Sequence, residues 1–182
     1  MTLDEIISLD IQSVASKQFA VALWVTWPLI FNAAPACFEA WGVTYRTRLF
    51  TWAKLNTKSD GFFIGNGYYA RGNDEPCLLA VRGSLPRSDK GVRSLIELEE
   101  RLTPTQIVTR RGRHSEKPVE AHERIERLWP NANKLELFAR IARPGWTSLG
   151  DEITGNDIRY DLRLLADKIA QSERGGRMES KR

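Results

Sequence analysis

Apolar and polar positions change period several times along the 182-residue chain, and each change predicts an element. Phe19–Thr26, FAVALWVT, is almost continuously apolar, the pattern of a strand buried on both faces of a parallel sheet. Val43–Lys54, VTYRTRLFTWAK, alternates as a second strand, and Glu75–Gly83, EPCLLAVRG, reads as a third. Between the first two, Asn32 caps a helix over AAPACFEAW that stops at Gly42. Near the start, Thr2 and Glu5 are spaced as a capping box ahead of a short helical turn. TQIVTRRGRH reads as a strand leading into a basic loop. Pro118 opens a helix over PVEAHERIERLW, with acids early and arginines late, as the helix dipole favours. In Lys134–Arg140, KLELFAR, residues Leu135, Leu137 and Ala139 alternate with Glu136, Phe138 and Arg140, a short strand. Pro144-Gly145 then turns the chain into a further strand, Trp146–Leu149, which stops at Gly150-Asp151-Glu152. Ile158, Leu162, Leu165 and Ile169 fall at helical spacing within Asp157–Ser172.

The segments between are punctuation. NTKSDGFFIGNGYYARGNDE is glycine-rich and aromatic, a long loop. Arg87–Pro104 reads as an exposed insertion with a short helix, SLIELEERL. The end, SERGGRMESKR, has a disordered composition. Strand, helix and strand separated by Gly and Pro predict an α/β sheet.

Composition narrows the function classes. A hydrophobic content of 42% supports a true core in one domain, or one domain with a tail. A net charge of +4 permits an anionic partner without requiring one. Cys37 and Cys77 stand in apolar surroundings without CxxC spacing and read as reduced core thiols of a cytoplasmic protein. With His114 and His122 as the two histidines, a histidine-based metal cluster is not expected. The opening residues are acidic where a secretion signal is basic. The longest apolar run, FAVALWVTWPLIF, falls short of the ~20 residues of a membrane helix, so no membrane association is expected.

Several polar residues invite a chemical reading, and each has a structural alternative. Glu136, Arg140, Asp151 and Glu152 surround two strand ends, as ligand contacts or as an ion pair. Lys117, beside Pro118, is a ligand contact or a solvated helix start. Arg110, Arg111, Arg113 and His114 form the densest positive patch, a nucleic-acid backbone contact or a solvated basic loop. Gly65, Gly67 and Gly72 lack the spacing of a phosphate cradle. Phe62, Phe63, Tyr68 and Tyr69 line a substrate or pack the loop onto the sheet.

Three blocks taken together are familiar: LWVTWPLIFNAAPACFEAWGVTYRTRLFTWAK, GNGYYARGNDEPCLLAVRG and HSEKPVEAHERIERLWPNANKLELFARIARPGWTSLGDEI. In order, over residues 1–153, the chain resembles the adenine-N6 methyltransferase family. That family includes the catalytic subunit of the messenger-RNA adenine methyltransferase and bacterial and phage DNA enzymes. The resemblance implies a permuted Rossmann-like sheet that binds S-adenosylmethionine; the amphipathic helix (154–172) and disordered tail (173–182) read from periodicity and composition lie outside it. It makes KLELFAR the cofactor strand. Glu136 or Glu152 then accepts from the ribose hydroxyls, and Arg140 orients the acid or reaches the sugar. Asp151 and Glu152 stand where the family places nucleoside contacts that are often amides, a departure in charge. Lys117 matches the lysine that meets the methionine carboxylate, a task suited to a point charge.

The chemistry of the family rests on Asp-Pro-Pro followed by an aromatic. Its carboxylate and a backbone carbonyl accept the adenine amine's N–H bonds and restore nucleophilicity, and the aromatic stacks on the flipped base. No such tetrapeptide occurs in these 182 residues; Trp27-Pro28 lacks the acid. In the family it lies shortly upstream of a segment like MTLDEI. Three expectations follow: a start further upstream, a shortened gene, or a non-catalytic relative. The strand behind that tetrapeptide sits mid-sheet, so its loss leaves unpaired edges on Phe19–Thr26 and Lys134–Arg140. A partner subunit, direct pairing of the two strands, or an unstable product would result. The compact chain, without evident RNA modules, is closer to the DNA-acting members, so DNA is expected over RNA.

Overall fold

The computed structural model describes residues 1–56, 61–67, 69–92, 107–110 and 117–179, with 107–110 and 176–179 in backbone only. It is mixed α/β and divides into two compact units: Gln18–Asn131, and Met1–Lys17 together with Ala132–Arg182.

The Gln18–Asn131 unit holds a four-stranded sheet. Its strands are β1 (Phe19–Trp24), β2 (Thr44–Leu55), β3 (Asp74–Arg82) and β4 (Ile107–Arg110), in the order β1-β3-β2-β4. β3 runs antiparallel to both β1 and β2, and β4 runs parallel to β2. This corrects the reading of Phe19–Thr26 as a doubly buried parallel strand: β1 is antiparallel, part-buried, and bonded within its sheet to β3 alone among the described residues. A continuous apolar run does not distinguish a central strand from an edge strand with one well-packed face.

Between β1 and β2, α2 (Ala33–Ala40) starts where the Asn32 side chain accepts from the Ala33 amide at 2.7 Å. It ends in paired cap bonds, Val43 N–H to Phe38 O at 3.0 Å and Gly42 N–H to Glu39 O at 3.1 Å, which satisfy carbonyls the helix leaves open. On the sheet, α3 (Val119–Leu128) packs Ala121 and Leu128 against Phe50, Trp52 and Cys77, with Trp24, Leu79, Ile125 and Trp129 around them. Cys37 and Cys77 are buried and unlinked, and burial pushes both thiol pKa values up.

In the other unit, α1 (Leu3–Ile7) opens on the expected capping box. The Glu5 amide donates to Thr2 Oγ1 at 3.2 Å, and the Thr2 amide donates to Glu5 Oε2 at 2.7 Å. A parallel pair, β5 (Lys134–Leu137) and β6 (Trp146–Leu149), forms a second sheet. α4 (Asp151–Thr154) follows, then α5 (Ile158–Glu179), which buries Ile158 and Leu162. Arg159 Nη1 of α5 meets Glu5 Oε1 of α1 at 3.2 Å. The carboxylate of Asp161, buried in α5, accepts from Thr154 Oγ1 at 2.5 Å and Asn156 Nδ2 at 3.0 Å. α5 runs past Ser172 to Glu179, so part of the stretch read as a disordered tail is helical; extending an existing helix gains a hydrogen bond per residue without a new nucleus. Among the described residues, no helix is long and apolar enough to cross a membrane.

Candidate functional site

Glu136, Arg140, Asp151 and Glu152 gather at the β5–β6 ends, with partners that sequence neighbourhood does not predict. Both strands are parallel and in register, Leu135 opposite Thr147 and Leu137 opposite Leu149. β5 stops at Leu137, short of the predicted Arg140, because Phe138 takes a left-handed φ of 58°. Such a backbone is strained for a bulky residue and breaks the two-residue alternation. The Phe138 side chain is 48% exposed there. The chain returns through the predicted Pro144-Gly145 turn, with Gly145 at φ 77° and the Trp146 amide donating to Arg143 O at 3.2 Å.

Two ion pairs result. Arg143 Nε lies 3.8 Å from Glu136 Oε2, both side chains mostly buried. Arg140, released from strand alternation, donates through Nη1 to Glu152 Oε1. The Glu136–Arg140 ion pair considered from sequence is therefore replaced by two others. Asp151 opens α4 and accepts the Glu152 amide on Oδ1 at 3.0 Å, a local contact at the helix start. Gly150 locks the arrangement: a Cβ there would lie 2.4 Å from the Ala139 carbonyl oxygen and 2.9 Å from its nitrogen. The Ala139 amide donates to Leu149 O at 2.9 Å, fixing the end of β5 against the end of β6.

A second cluster belongs to the Gln18–Asn131 unit and was missed in the sequence apart from Lys117. Glu75, opposite Trp52 in the β2–β3 register, shares one sheet face with Trp52 and Lys54. Lys54 Nζ donates to Glu75 Oε2 at 2.8 Å, and Lys117 Nζ donates to Glu75 Oε1 at 2.9 Å. Burial acts to raise the Glu75 pKa, but the Lys117 charge and the hydrogen bonds from both lysines outweigh it and hold it below the usual carboxylate range. Lys117 sits 5.8 Å from the Trp24 ring centroid and Lys54 5.1 Å from that of Trp52. The two rings meet edge to face at 6.4 Å. Two ammoniums against one carboxylate give this cluster a surplus positive charge. The signal that could have found it was an acid heading the apolar run EPCLLAV.

Arg110 ends β4 and is described by its backbone alone. Arg111, Arg113, His114 and Tyr68 lie outside the described residues, as do 93–104 of the expected insertion.

The family model MT-A70 matches residues 1–152. The chain belongs to the MT-A70 family. The type II methyltransferase M.MunI of a Mycoplasma species is 31% identical over 161 residues, 87% of this chain and 60% of that protein. An Arabidopsis thaliana MT-A70-like N(6)-adenosine-methyltransferase is 30% identical over 84% of this chain and 21% of its own length. The Drosophila melanogaster METTL14, a non-catalytic subunit of the N(6)-adenosine-methyltransferase, is 25% identical over 87% of this chain and 40% of its own. The chain thus spans less than two thirds of these relatives. MT-A70 methyltransferases use S-adenosylmethionine, and the donor chemistry here fits that molecule. Its carboxylate suits a cluster with surplus positive charge. Its ribose hydroxyls suit a carboxylate fixed by a guanidinium, since an ionised carboxylate accepts up to about four hydrogen bonds.

Proposed function

We propose that these 182 residues form the S-adenosylmethionine-holding part of a nucleic-acid adenine-N6 methyltransferase. The observation that carries this reading is Glu152 held by Arg140, on residues for which the MT-A70 resemblance implies nucleoside contacts. Glu152 accepts from the ribose, and Arg140 fixes the carboxylate that does so. Glu136, anchored by Arg143, is the second acid of the nucleoside end, and Asp151 sets the start of α4 from which Glu152 projects. Lys117 takes the methionine carboxylate. When bound, the cofactor supplies an electrophilic methyl group on its sulfonium.

The scaffold is a permuted Rossmann-like sheet in this reading, with the middle, tetrapeptide-bearing strand not supplied by these residues. Among the described residues β1 pairs with β3 and β5 with β6, and in this reading the other edge of each takes a strand from a partner subunit. Arg110, Arg111, Arg113 and His114 meet the nucleic-acid backbone, DNA rather than RNA. Buried, unlinked Cys37 and Cys77 support a reducing, cytoplasmic compartment.

A second reading, a non-catalytic partner or nucleic-acid-binding relative, is supported by the likeness to METTL14. One experiment addresses both. The 182-residue polypeptide is titrated with S-adenosylmethionine by calorimetry, and assayed for methyl transfer to an adenine-containing duplex. Weak binding that Glu152→Ala abolishes, without transfer, is expected. Robust turnover overturns the assigned role of the tetrapeptide; no binding at any attainable concentration overturns the cofactor assignment and leaves the non-catalytic reading.

A further inference from the structure

We infer that Lys54 and Glu75 are positioning residues that complete, with Lys117, a two-lysine receptor for a single carboxylate. The inference rests on the reading of Lys117 as the cofactor's carboxylate contact and names the residues that make it work.

A lysine alone is a poorly oriented ligand. Its ammonium ends a four-carbon stem with many rotamers, and ordering it on binding costs conformational entropy. Glu75 removes that freedom in advance. Its carboxylate is nearly buried, with a side-chain exposure of 10%, while Lys54 and Lys117 keep 22% and 23%. The acid is thus the inner member and the two lysines, each with part of its side chain exposed, the outer ones. Each lysine bonds a different oxygen of the same carboxylate, at 2.8 and 2.9 Å. Their nitrogens are therefore held apart at a spacing set by the carboxylate itself. An ammonium has three N–H donors, and Glu75 takes one from each. The indoles of Trp24 and Trp52 flank the ammoniums and resist their swinging away.

Charge argues in the same direction. If Glu75 served only to neutralise one lysine, a single ion pair would suffice, and a second cation would add repulsion. Two cations on one anion make a cluster that a further monoanion balances. Both lysines come from distant parts of the sequence, the end of β2 and the residue before Pro118, and converge on the head of β3. The sheet register supplies Lys54 and Glu75 on one face, and the packing of α3 on that face brings Lys117 over them.

The test compares S-adenosylhomocysteine with 5′-methylthioadenosine, which keeps the nucleoside and thioether but lacks the carboxylate. Both are titrated into the 182-residue chain and into Lys54→Met, Glu75→Gln and Lys117→Met, with a thermal melt of each variant. Lys54→Met and Glu75→Gln are expected to weaken S-adenosylhomocysteine binding by about tenfold, the loss of one charge-assisted contact. Methylthioadenosine binding should stay within about twofold in all of them, and Lys54→Arg should recover part of the loss. Should Glu75→Gln fail to fold, Lys54→Met decides. If Lys117→Met loses S-adenosylhomocysteine binding while Lys54→Met retains it in full, this inference falls and the cofactor assignment stands. Equal losses for both ligands make the cluster merely structural and overturn it. A loss of duplex-DNA binding with S-adenosylhomocysteine unchanged assigns the cations to phosphate and overturns it. No binding of either ligand by the unsubstituted chain removes the cofactor assignment and this inference together.

Discussion

Replacing Gly150 by alanine tests how the β5–β6 ends are held. The added Cβ would stand 2.4 Å from the Ala139 carbonyl oxygen, 2.9 Å from its nitrogen and 3.2 Å from its carbonyl carbon. All three are backbone atoms, so no side chain can swing aside. Ala139 is 1% exposed, and its amide already bonds Leu149 O at 2.9 Å, so it cannot recede without breaking that bond. Overpacking of this kind costs about 1–3 kcal/mol, and rigid neighbours put the cost in the upper part of that range. For a chain of this size, about 2–3 kcal/mol corresponds to a drop in Tm of roughly 4–12 °C. Gly155 is the control. Its φ of 73° penalises alanine, yet its Cβ would meet nothing within 4 Å, so Gly155→Ala should cost only about 1–2 kcal/mol of left-handed strain. Thermal melts of both variants decide the matter. A Gly150→Ala melt within 1 °C of the parent, or a larger loss from Gly155→Ala, would refute the close approach of the two strand ends.

Phe50, 1% exposed beneath α3, should lose about 3–5 kcal/mol as Phe50→Ala, read from the urea midpoint and slope. Thr2→Ala removes the oxygen that accepts the Glu5 amide and should cost about 1 kcal/mol, with Thr2→Ser restoring most of it in the same denaturation assay. Glu75 supplies a pH dependence. Its folded pKa is depressed, so its contribution is present above the unfolded value of about 4.3 and is lost as pH falls through the lower folded value. The difference in unfolding free energy between the parent and Glu75→Gln should therefore be full near neutrality and shrink below pH ~4; a difference that grows on acidification would contradict the assignment.

Features written within a few residues were legible in the sequence. Thr2 and Glu5, Asn32 and Gly42, and Pro144-Gly145 each specify a cap or turn through their own side chains and backbone preferences, and the structure has them there. Long-range pairing was not. The run Phe19–Thr26 is apolar whichever strand lies beside it, and its antiparallel register with β3, Leu23 opposite Leu78, depends on residues far along the chain. Lys54, Glu75 and Lys117 come from three separate segments, so no local spacing announces their junction. The pairing of Arg140 with Glu152 instead of Glu136 follows from the backbone at Phe138, because once alternation stops, counting by twos no longer says where a side chain points.

Phe138 has a wider consequence. A left-handed position suits asparagine with far less strain than a benzyl side chain, and a half-exposed ring recovers only part of that deficit by burial. Keeping phenylalanine there spends stability on displaying a flat aromatic face at the tip of a strand. Phe138→Asn should therefore yield a sturdier chain, read as a Tm above that of the parent in a thermal melt; an unchanged or lower Tm would show that the ring's packing outweighs the strain.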